Sequence, residues 1–210
     1  MTKYHKIQTV FKRDPENNCK TLLMGEYSMP EFRLLEKIDW CFTEKIDGTN
    51  IRVIWDGANV RFAGRTDKAT IPPFLLDRLN ELFPKEKLAR ELTGPVVLYG
   101  EGYGAKIQHG GNYIPDGVDF ILFDVSAGGI WLERDYVECI SSSLCISVVP
   151  IVKFGTLWDA VRICEAPFKS VINPRAIAEG LVMRPAIELQ TRRGERIITK
   201  IKCKDFAHHD

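Results

Sequence analysis

Apolar and polar residues alternate along the stretch centred on Val53. Ile51, Val53 and Trp55 lie two positions apart and are β-branched or aromatic, which is typical of a strand with one buried face. Asp56-Gly57 ends this run with a pair of residues that favours a tight hairpin turn. The pattern therefore predicts three consecutive strands, over residues 42–46, 51–56 and 59–63.

Further segments show either the helical period or short apolar runs. Helices are predicted over residues 72–90 (one or two), 133–145 and 156–164, and strands over 96–99, 120–125, 148–152, 180–183 and 196–202. Strands outnumber helices and do not alternate strictly with them, which favours an α+β fold built on antiparallel sheets. Residues 1–39 are predicted to be an irregular N-terminal extension packed on this domain, with a short helix at Pro30.

Composition adds few constraints. The chain has 210 residues, of which 45% are apolar and 27% charged, and we predict one globular domain over residues 1–210. It has no run of 18 apolar residues and no secretory signal, so we expect no membrane span. The net charge of +1 gives no global electrostatic case for nucleic-acid binding.

The cysteines and the basic residues are more informative than the overall composition. The six cysteines show no CxxC and no metal-ligand spacing, so reduced thiols in a cytosol are expected. Basic residues are concentrated in residues 190–204. This segment contains three arginines and three lysines, and Glu195 is its single acidic residue. Such a cluster suits a phosphate, and a solvated charged hairpin is the alternative.

Lys45 stands two residues before Asp47-Gly48, a pair that marks a turn or bulge. It therefore lies where one predicted strand ends and the next begins, with backbone holding it on both sides. Desolvation and nearby cations are what turn a lysine amine into a nucleophile. The alternative is a solvated hairpin lysine, because K-x-D-G is only a four-residue pattern.

Two carboxylates and two lysines are candidates for binding a nucleotide. Glu101 and Glu179 stand at predicted strand ends beside glycine, where a carboxylate suits magnesium or a ribose hydroxyl; simple exposure is the alternative. Lys202 and Lys204 lie two apart in a predicted strand, so they are expected to share a face and to reach phosphates. The alternative is a solvated strand face with the intervening residues inward.

Six short motifs follow one another in a fixed order. They are K-I-D-G at 45–48, R-F-A-G-R-T at 61–66, L-Y-G-E-G-Y-G at 98–104, F-I-L-F-D-V at 120–125, E-G-L-V-M-R-P at 179–185 and I-K-C-K-D at 201–205. Their order resembles the covalent nucleotidyltransferase superfamily of ATP-dependent ligases and capping enzymes. The forms E-K-x-D-G-T-N and I-K-C-K most resemble phage RNA ligases of the second type, and the resemblance covers residues 40–206.

The resemblance implies a fold and an activity. The fold is an α+β, antiparallel-sheet nucleotidyltransferase domain, the ATP-grasp-like adenylation domain of ligases, with no C-terminal OB-fold. The activity is that of an ATP-dependent RNA ligase in RNA repair, with ATP and magnesium as cofactors and Lys45 as the nucleophile that carries AMP. The residues implied in nucleotide binding are Glu44, Asn50, Arg65, Glu101, Phe123, Glu179, Lys202 and Lys204, and Glu101 and Glu179 are also the implied metal ligands.

Each implied role comes from the position in the motif. The aromatic ring of Phe123 stacks on the adenine, and Glu101 binds the ribose. Arg65 contacts the AMP phosphate or the RNA end, Glu179 lies near the metal and the lysine, and the backbone of Glu44 helps to hold the adenine.

The resemblance also implies partners and a location. Thr49-Asn50 is the RNA-ligase form of the motif, which favours RNA with a 5′-phosphate and a 3′-hydroxyl as partner. A monomer in the cytoplasm is expected, in the host cytoplasm if the protein is phage-encoded.

Two departures keep other functions open. Asp47 stands where the phage enzymes often have histidine, and the absent OB-fold removes a domain that grips nucleic acid in larger relatives. A minimal ATP-dependent DNA ligase is one alternative, and a nucleotide-binding or nucleic-acid-end-binding module without turnover is another. His109 is a lone loop histidine for which no role is predicted.

Overall fold

The computed structural model describes residues 3–206. Contacts between Cα atoms divide the chain into two compact units. Among the described residues, the first unit comprises residues 3–5 and 46–149, and the second comprises residues 6–45 and 150–206. Each has its own apolar core, and a single adenylation domain over 1–210 stays a prediction. Across the described residues no helix is both long and apolar enough to cross a membrane.

Strands are the main elements of the described chain. In order they are β1 (Gln8–Thr9), β2 (Phe11–Arg13), β3 (Leu22–Tyr27), β4 (Trp40–Lys45), β5 (Thr49–Trp55), β6 (Val60–Gly64), β7 (Val96–Gly104), β8 (Val118–Ala127), β9 (Ile130–Trp131), β10 (Ser147–Val148), β11 (Ile151–Gly155), β12 (Gly180–Pro185) and β13 (Thr199–Lys202). The helices are α1 (Pro30–Leu34), α2 (Pro73–Leu82), α3 (Lys85–Glu91), α4 (Arg134–Ser143) and α5 (Leu157–Glu165), with short 3₁₀ helices at Gly110–Asn112 and Cys203–Phe206.

The first unit is built on a sheet of order β10-β8-β7-β5-β6, with β9 paired to β8. Its pairs are antiparallel except for β10, which runs parallel to β8. The alternation that predicted β5 is confirmed, because Ile51, Val53 and Trp55 enter one apolar cluster with Leu75 and Leu79 of α2. The other face of this sheet therefore carries the polar residues of β5 and β7.

The second unit is built on a sheet of order β1-β13-β12-β4-β11. β1 runs parallel to β13 and the other pairs are antiparallel. Trp40 and Phe42 of β4 pack with Leu181 and Ile201 in a cluster that α5 also enters. A capping box between Thr156 and Asp159 starts α5. The predicted α+β class with mostly antiparallel sheets is confirmed.

The structure differs from the sequence predictions in three places. The predicted strand 148–152 is two strands, because Pro150 separates β10 from β11 and a proline cannot donate to a sheet ladder. The predicted strand 196–202 begins only at Thr199. Residues 6–39, predicted to be irregular apart from one helix, contain β1, β2 and β3. Strands β1 and β2, of two and three residues, are too short to show a period, and their pairing partners decide them. Strand β3 has six residues, but its apolar and polar residues do not alternate.

Candidate active site

Three strands of the second unit place Lys45, Gly180 and Lys202 in one row. Gly180 begins β12 and pairs with Lys45 at the end of β4 and with Lys202 at the end of β13. Residues that stand directly opposite in antiparallel strands project from the same face of a sheet. Strand register therefore brings two lysines that lie 157 positions apart in the sequence to one sheet edge.

The carboxylate of Glu179 contacts both lysines. Its Oε2 lies 2.5 Å from Nζ of Lys45, and its Oε1 lies 2.6 Å from Nζ of Lys202. The three side chains are only 12% to 22% exposed, so water screens these attractions less than at an open surface. Two positive charges and one negative charge leave a single positive charge, which suits a phosphate ligand.

Gly180 is the residue that permits this row. Its φ of +154° lies in a region that other residues rarely adopt, and a Cβ there would overlap the carbonyl oxygen of Ile201 and come within 2.7 Å of Cα of Lys202. A glycine is therefore required where β13 approaches β12. This explains the glycine of E-G-L-V-M-R-P as a packing requirement next to Glu179.

Lys204 lies beyond the strand that holds Lys202. The chain turns into a 3₁₀ helix after Lys202, and Oδ2 of Asp205 accepts a hydrogen bond from the backbone N–H of Lys202 at 3.1 Å. Nη2 of Arg13 pairs with the other oxygen of Asp205 at 2.8 Å. The alternation that predicted a shared face stops at Lys202; Lys204 is exposed, and its contact with a phosphate stays a prediction.

Glu44 precedes Lys45 but is buried, with 1% of its surface exposed. Its Oε2 accepts a hydrogen bond from the backbone N–H of Val171 at 2.8 Å. Burial raises the pKa of Glu44, and hydrogen bonds from Ser170 and Val171 act against that rise. Its Oε1 is buried and has no hydrogen-bond partner within residues 3–206.

In the first unit, the segment before β5 depends on Gly48. A Cβ at Gly48 would overlap the carbonyl oxygen of Gly102 and lie 2.9 Å from Cγ of Glu101. Asp47 has its Oδ2 2.9 Å from Nδ1 of His109. His109, for which the sequence predicted no role, therefore contacts the K-x-D-G motif.

Asn50 and Glu101 stand directly opposite on β5 and β7. Both are half-buried, and both belong to the face opposite the apolar cluster that contains Ile51. The Oδ1 atom of Asn50 is buried and has no hydrogen-bond partner among the described residues. An amide and a carboxylate side by side can bind a polar ligand such as a ribose.

Phe123 is the extra residue of a β-bulge. Tyr99 pairs with Asp124 and Gly100 pairs with Leu122, so β7 offers no partner to Phe123. The bulge leaves Phe123 half-buried and outside the apolar cluster. Its aromatic ring is therefore partly accessible to a ligand, unlike the buried rings of the apolar cluster.

Tyr4 packs against the bulge. Its hydroxyl donates to Oδ2 of Asp124 at 2.6 Å, and its ring centroid lies 5.0 Å from that of Phe123. Sequence reasoning missed Tyr4 because the residues around it carry no motif. A tyrosine beside a histidine in an otherwise polar N-terminus was the signal available.

Arg65 follows β6 and is exposed. No other described residue pairs with its guanidinium group. A second arginine, Arg52 of β5, is fully buried and bonds to the same turn, and no role was predicted for it because it stands in an apolar strand. The exposed arginine can bind an anion.

The predicted metal ligands, Glu101 and Glu179, can supply some but not all of the oxygens that a magnesium ion needs. Within the described chain, no group of three or more His, Cys, Asp or Glu side chains is arranged to hold a metal ion. Magnesium usually takes one or two protein carboxylates together with phosphate oxygens and water. Glu101 or Glu179 can supply such a carboxylate when phosphates supply the rest.

Comparisons with known proteins show the family and the fold of the chain. The family model described as RNA ligase matches residues 38–202. The chain is similar to the RNA ligase of Naegleria gruberi with PPi, at a TM-score of 0.70 and 19% identity, covering 96% of this chain and 56% of that one. No curated protein sequence matches the chain.

Two mutants of the same Naegleria enzyme are also similar. One, with ATP and Mn, has a TM-score of 0.70 at 19% identity and covers 96% of this chain and 56% of that chain. The other, with AMP and Mn, has a TM-score of 0.66 at 18% identity and covers 93% and 56%. These likenesses show the fold, and the chain spans 56% of the length of each of these structures. Because the family model matches residues 38–202, well over half of the sequence, the chain belongs to the RNA ligase family.

Proposed function

We propose that this protein is an ATP-dependent RNA ligase that forms a covalent AMP adduct on Lys45. It then transfers AMP to the 5′-phosphate of an RNA and joins that end to a 3′-hydroxyl. Family membership supports the reaction class. The Naegleria relatives with ATP, AMP or PPi support a nucleotide substrate of this kind.

The observation that carries the proposal is the contact of Lys45 and Lys202 with one carboxylate. Nζ of Lys45 is held 2.5 Å from Oε2 of Glu179, within reach for direct proton transfer. A nucleophilic lysine needs a fixed position, an acceptor for its proton and positive charge for the phosphate it attacks. Glu179 supplies the first two and Lys202 the third.

The proposed reaction has three balanced steps. Nζ of Lys45 loses a proton and attacks the α-phosphorus of ATP, a P–N bond forms, and the P–O bond to pyrophosphate breaks. An oxygen of the RNA 5′-phosphate then attacks the same phosphorus, the P–N bond breaks, and the nitrogen takes up a proton and returns as the amine. Finally the 3′-hydroxyl oxygen attacks the activated 5′-phosphorus, loses its proton, and releases AMP.

The remaining predicted residues bind the nucleotide in this proposal. Phe123 stacks on the adenine, Glu101 with Asn50 binds the ribose, and Arg65 contacts the AMP phosphate. The backbone of Glu44 and the side chain of Lys204 complete the set. Magnesium, when bound with phosphate oxygens, supplies neutralisation of phosphate charge.

The test of the first step is labelling with nucleotide. The protein is incubated with ATP, GTP or NAD, each labelled in the nucleotide monophosphate portion, and analysed on a denaturing gel with peptide mapping. Label from ATP on the peptide that contains Lys45, and its loss in Lys45→Ala, are expected. Lys12→Ala removes a lysine of an exposed ion pair with Glu26 and serves as the control. Label that persists in Lys45→Ala contradicts the proposal.

The test of the substrate uses four nicked duplexes that differ only in the sugar at the two ends. We expect the fastest sealing when the 3′-hydroxyl strand ends in ribonucleotides, because a site that binds the 2′-hydroxyl leaves its polar groups unpaired with DNA. Equal sealing of an all-DNA nick would favour a DNA ligase. Adenylylation without any sealing would favour a single-stranded substrate or a required partner.

A further inference from the structure

Arg52 is a fully buried arginine in the middle of β5. Its neighbours Ile51 and Val53 enter the apolar cluster, so Arg52 projects from the opposite face of the sheet. A buried guanidinium group destabilises a protein unless its N–H groups are paired. The partners of Arg52 therefore indicate its role.

Arg52 holds both ends of the four-residue segment 64–67, which we name the arginine turn. Nε donates to the carbonyl oxygen of Gly64 at 2.9 Å, and Nη2 donates to Oδ1 of Asp67 at 2.6 Å. Two bonds from one rigid, planar group fix two points of the turn at once. Arg65 and Thr66 lie between those points.

The hydrogen bond from Arg52 to Asp67 holds the turn in place, whereas Asp67 does not need it to solvate its charge. The Asp67 side chain is 60% exposed, so water alone can solvate its charge. The hydrogen bond from Arg52 and the charge of Arg52 lower the pKa of Asp67, which keeps the carboxylate ionised. The consequence is that an exposed turn is tied to the interior of a sheet.

The arginine turn is also folded back on itself. The backbone N–H of Ala69 donates to the carbonyl oxygen of Thr66 at 3.1 Å, and a Cβ at Gly64 would come within 2.8 Å of Cβ of Ala69. The backbone of the turn is thus held on two sides. The Arg65 side chain is exposed and unpaired by any described residue.

The pairing of Arg52 is not complete. Its Nη1 atom is buried with no hydrogen-bond partner within residues 3–206. Within the described residues, both hydrogen bonds that the Arg52 side chain makes therefore go to the arginine turn, and these two bonds are what it can use to place that turn.

We propose that Arg52 is a positioning residue that fixes Arg65, through Gly64 and Asp67, for contact with the phosphate of AMP. The inference rests on the proposed function, since it assigns Arg65 to that phosphate. A pre-positioned arginine loses less conformational freedom when it binds an anion, and a displacement of about 1 Å can reduce a rate about 100-fold.

The experiment is a double-mutant cycle that leaves the buried arginine in place. Adenylylation rate and ATP affinity are measured for the wild type, Asp67→Ala, Arg65→Ala and the double variant. Asp67→Ala is expected to slow adenylylation about 10- to 100-fold. In the Arg65→Ala background the same change is expected to have no further effect, because the turn then has nothing to position.

Asp56→Ala is the matched control. Asp56 is also an exposed aspartate with a lowered pKa, held by the backbone N–H groups of Ala58 and Asn59 at the other end of β5. It is expected to adenylylate at the wild-type rate. Arg52→Lys, which keeps the charge but cannot make both bonds, is expected to match Asp67→Ala.

The outcomes separate this inference from the proposed function. An equal loss from Asp67→Ala in both backgrounds, or a fall in melting temperature with an unchanged rate, overturns the positioning role. If the wild type binds ATP without labelling, the ligase proposal fails and the cycle is evaluated on the dissociation constant for ATP. If the wild type neither binds ATP nor becomes labelled, both proposals fail.

Discussion

The two units hold their candidate residues by different means. In the second unit, strand register aligns Lys45, Gly180 and Lys202, and one carboxylate pairs both lysines. In the first unit, register pairs Asn50 with Glu101, but a bulge places Phe123 and an exposed turn carries Arg65. Register fixes several residues together, whereas the bulge and the turn each place one candidate residue. Lys45, Gly180 and Lys202 should therefore respond to substitution as a group, whereas Phe123 and Arg65 should respond separately.

The largest expected effect comes from removing the shared carboxylate. Glu179→Gln keeps the size of the side chain but removes the negative charge that contacts both ammonium groups and the proton acceptor 2.5 Å from Lys45. Single-turnover adenylylation is expected to slow about 100- to 10,000-fold. Glu26→Gln breaks an exposed pair with Lys12 in the same unit and should leave the rate unchanged. A rate for Glu179→Gln within threefold of wild type would contradict the shared role.

The two C-terminal lysines should differ. Lys202→Ala removes a charge from the row and is expected to slow adenylylation about 100-fold, which corresponds to roughly 3 kcal/mol. Lys204→Ala, outside the strand row and exposed, is expected to cost about tenfold or less. The measurement is the single-turnover rate at saturating ATP. Equal losses would show that register does not separate the two lysines.

The same contrast explains what the sequence could predict. Alternation in β5 and the order of six motifs depend on local patterns, and the structure bears out the strand and the α+β class. The pairing of Lys45 with Glu179 depends on which strands are neighbours, which no local pattern contains. The sequence placed Lys45 and Glu179 in one site only through the resemblance that the order of the motifs carries.

Three other features could not be predicted from the sequence because each depends on contacts between distant or non-periodic residues. The bulge at Phe123 follows from a register shift between β7 and β8, so the strand pattern alone does not show it. Arg52 lies in an apolar strand and gains its partners from a turn 12 to 15 residues later. Strand β13 ends at Lys202 because Asp205 accepts its backbone N–H, and alternation cannot foresee such a cap.

Substitution of the glycine in the row should affect stability. Gly180→Ala adds a Cβ that overlaps Ile201 at a φ that alanine rarely adopts, and about 1–3 kcal/mol of unfolding free energy should be lost. For a chain of this size that is a fall in melting temperature of several degrees. Gly94→Ala, where a Cβ meets no atom within 4 Å, is the control. Unchanged stability of Gly180→Ala would mean that β12 and β13 can separate there.

Phe123 tests whether the first unit responds residue by residue. Phe123→Leu keeps an apolar side chain but removes the ring, and ATP affinity is expected to fall by about 1–3 kcal/mol, the contribution of base stacking. Melting temperature should stay near that of the wild type. Phe120→Leu is the matched control, because Phe120 is buried in the apolar cluster and should lose stability with little change in ATP affinity. The reverse pattern would make Phe123 a core residue.

The smallest effect is expected at His109, which contacts Asp47 across 2.9 Å. The His109 side chain is 83% exposed, and a hydrogen bond contributes about 1 kcal/mol to stability, so His109→Ala should slow adenylylation at most about fivefold. His109→Asn keeps a side-chain donor near the position of Nδ1 and should recover part of that loss. Lys106→Ala, a neighbour in the same loop, controls for general changes in the loop. A loss of 100-fold or more in His109→Ala would contradict this expectation. It would show that residues of the first unit also depend on one another, as Lys45 and Lys202 do in the second unit.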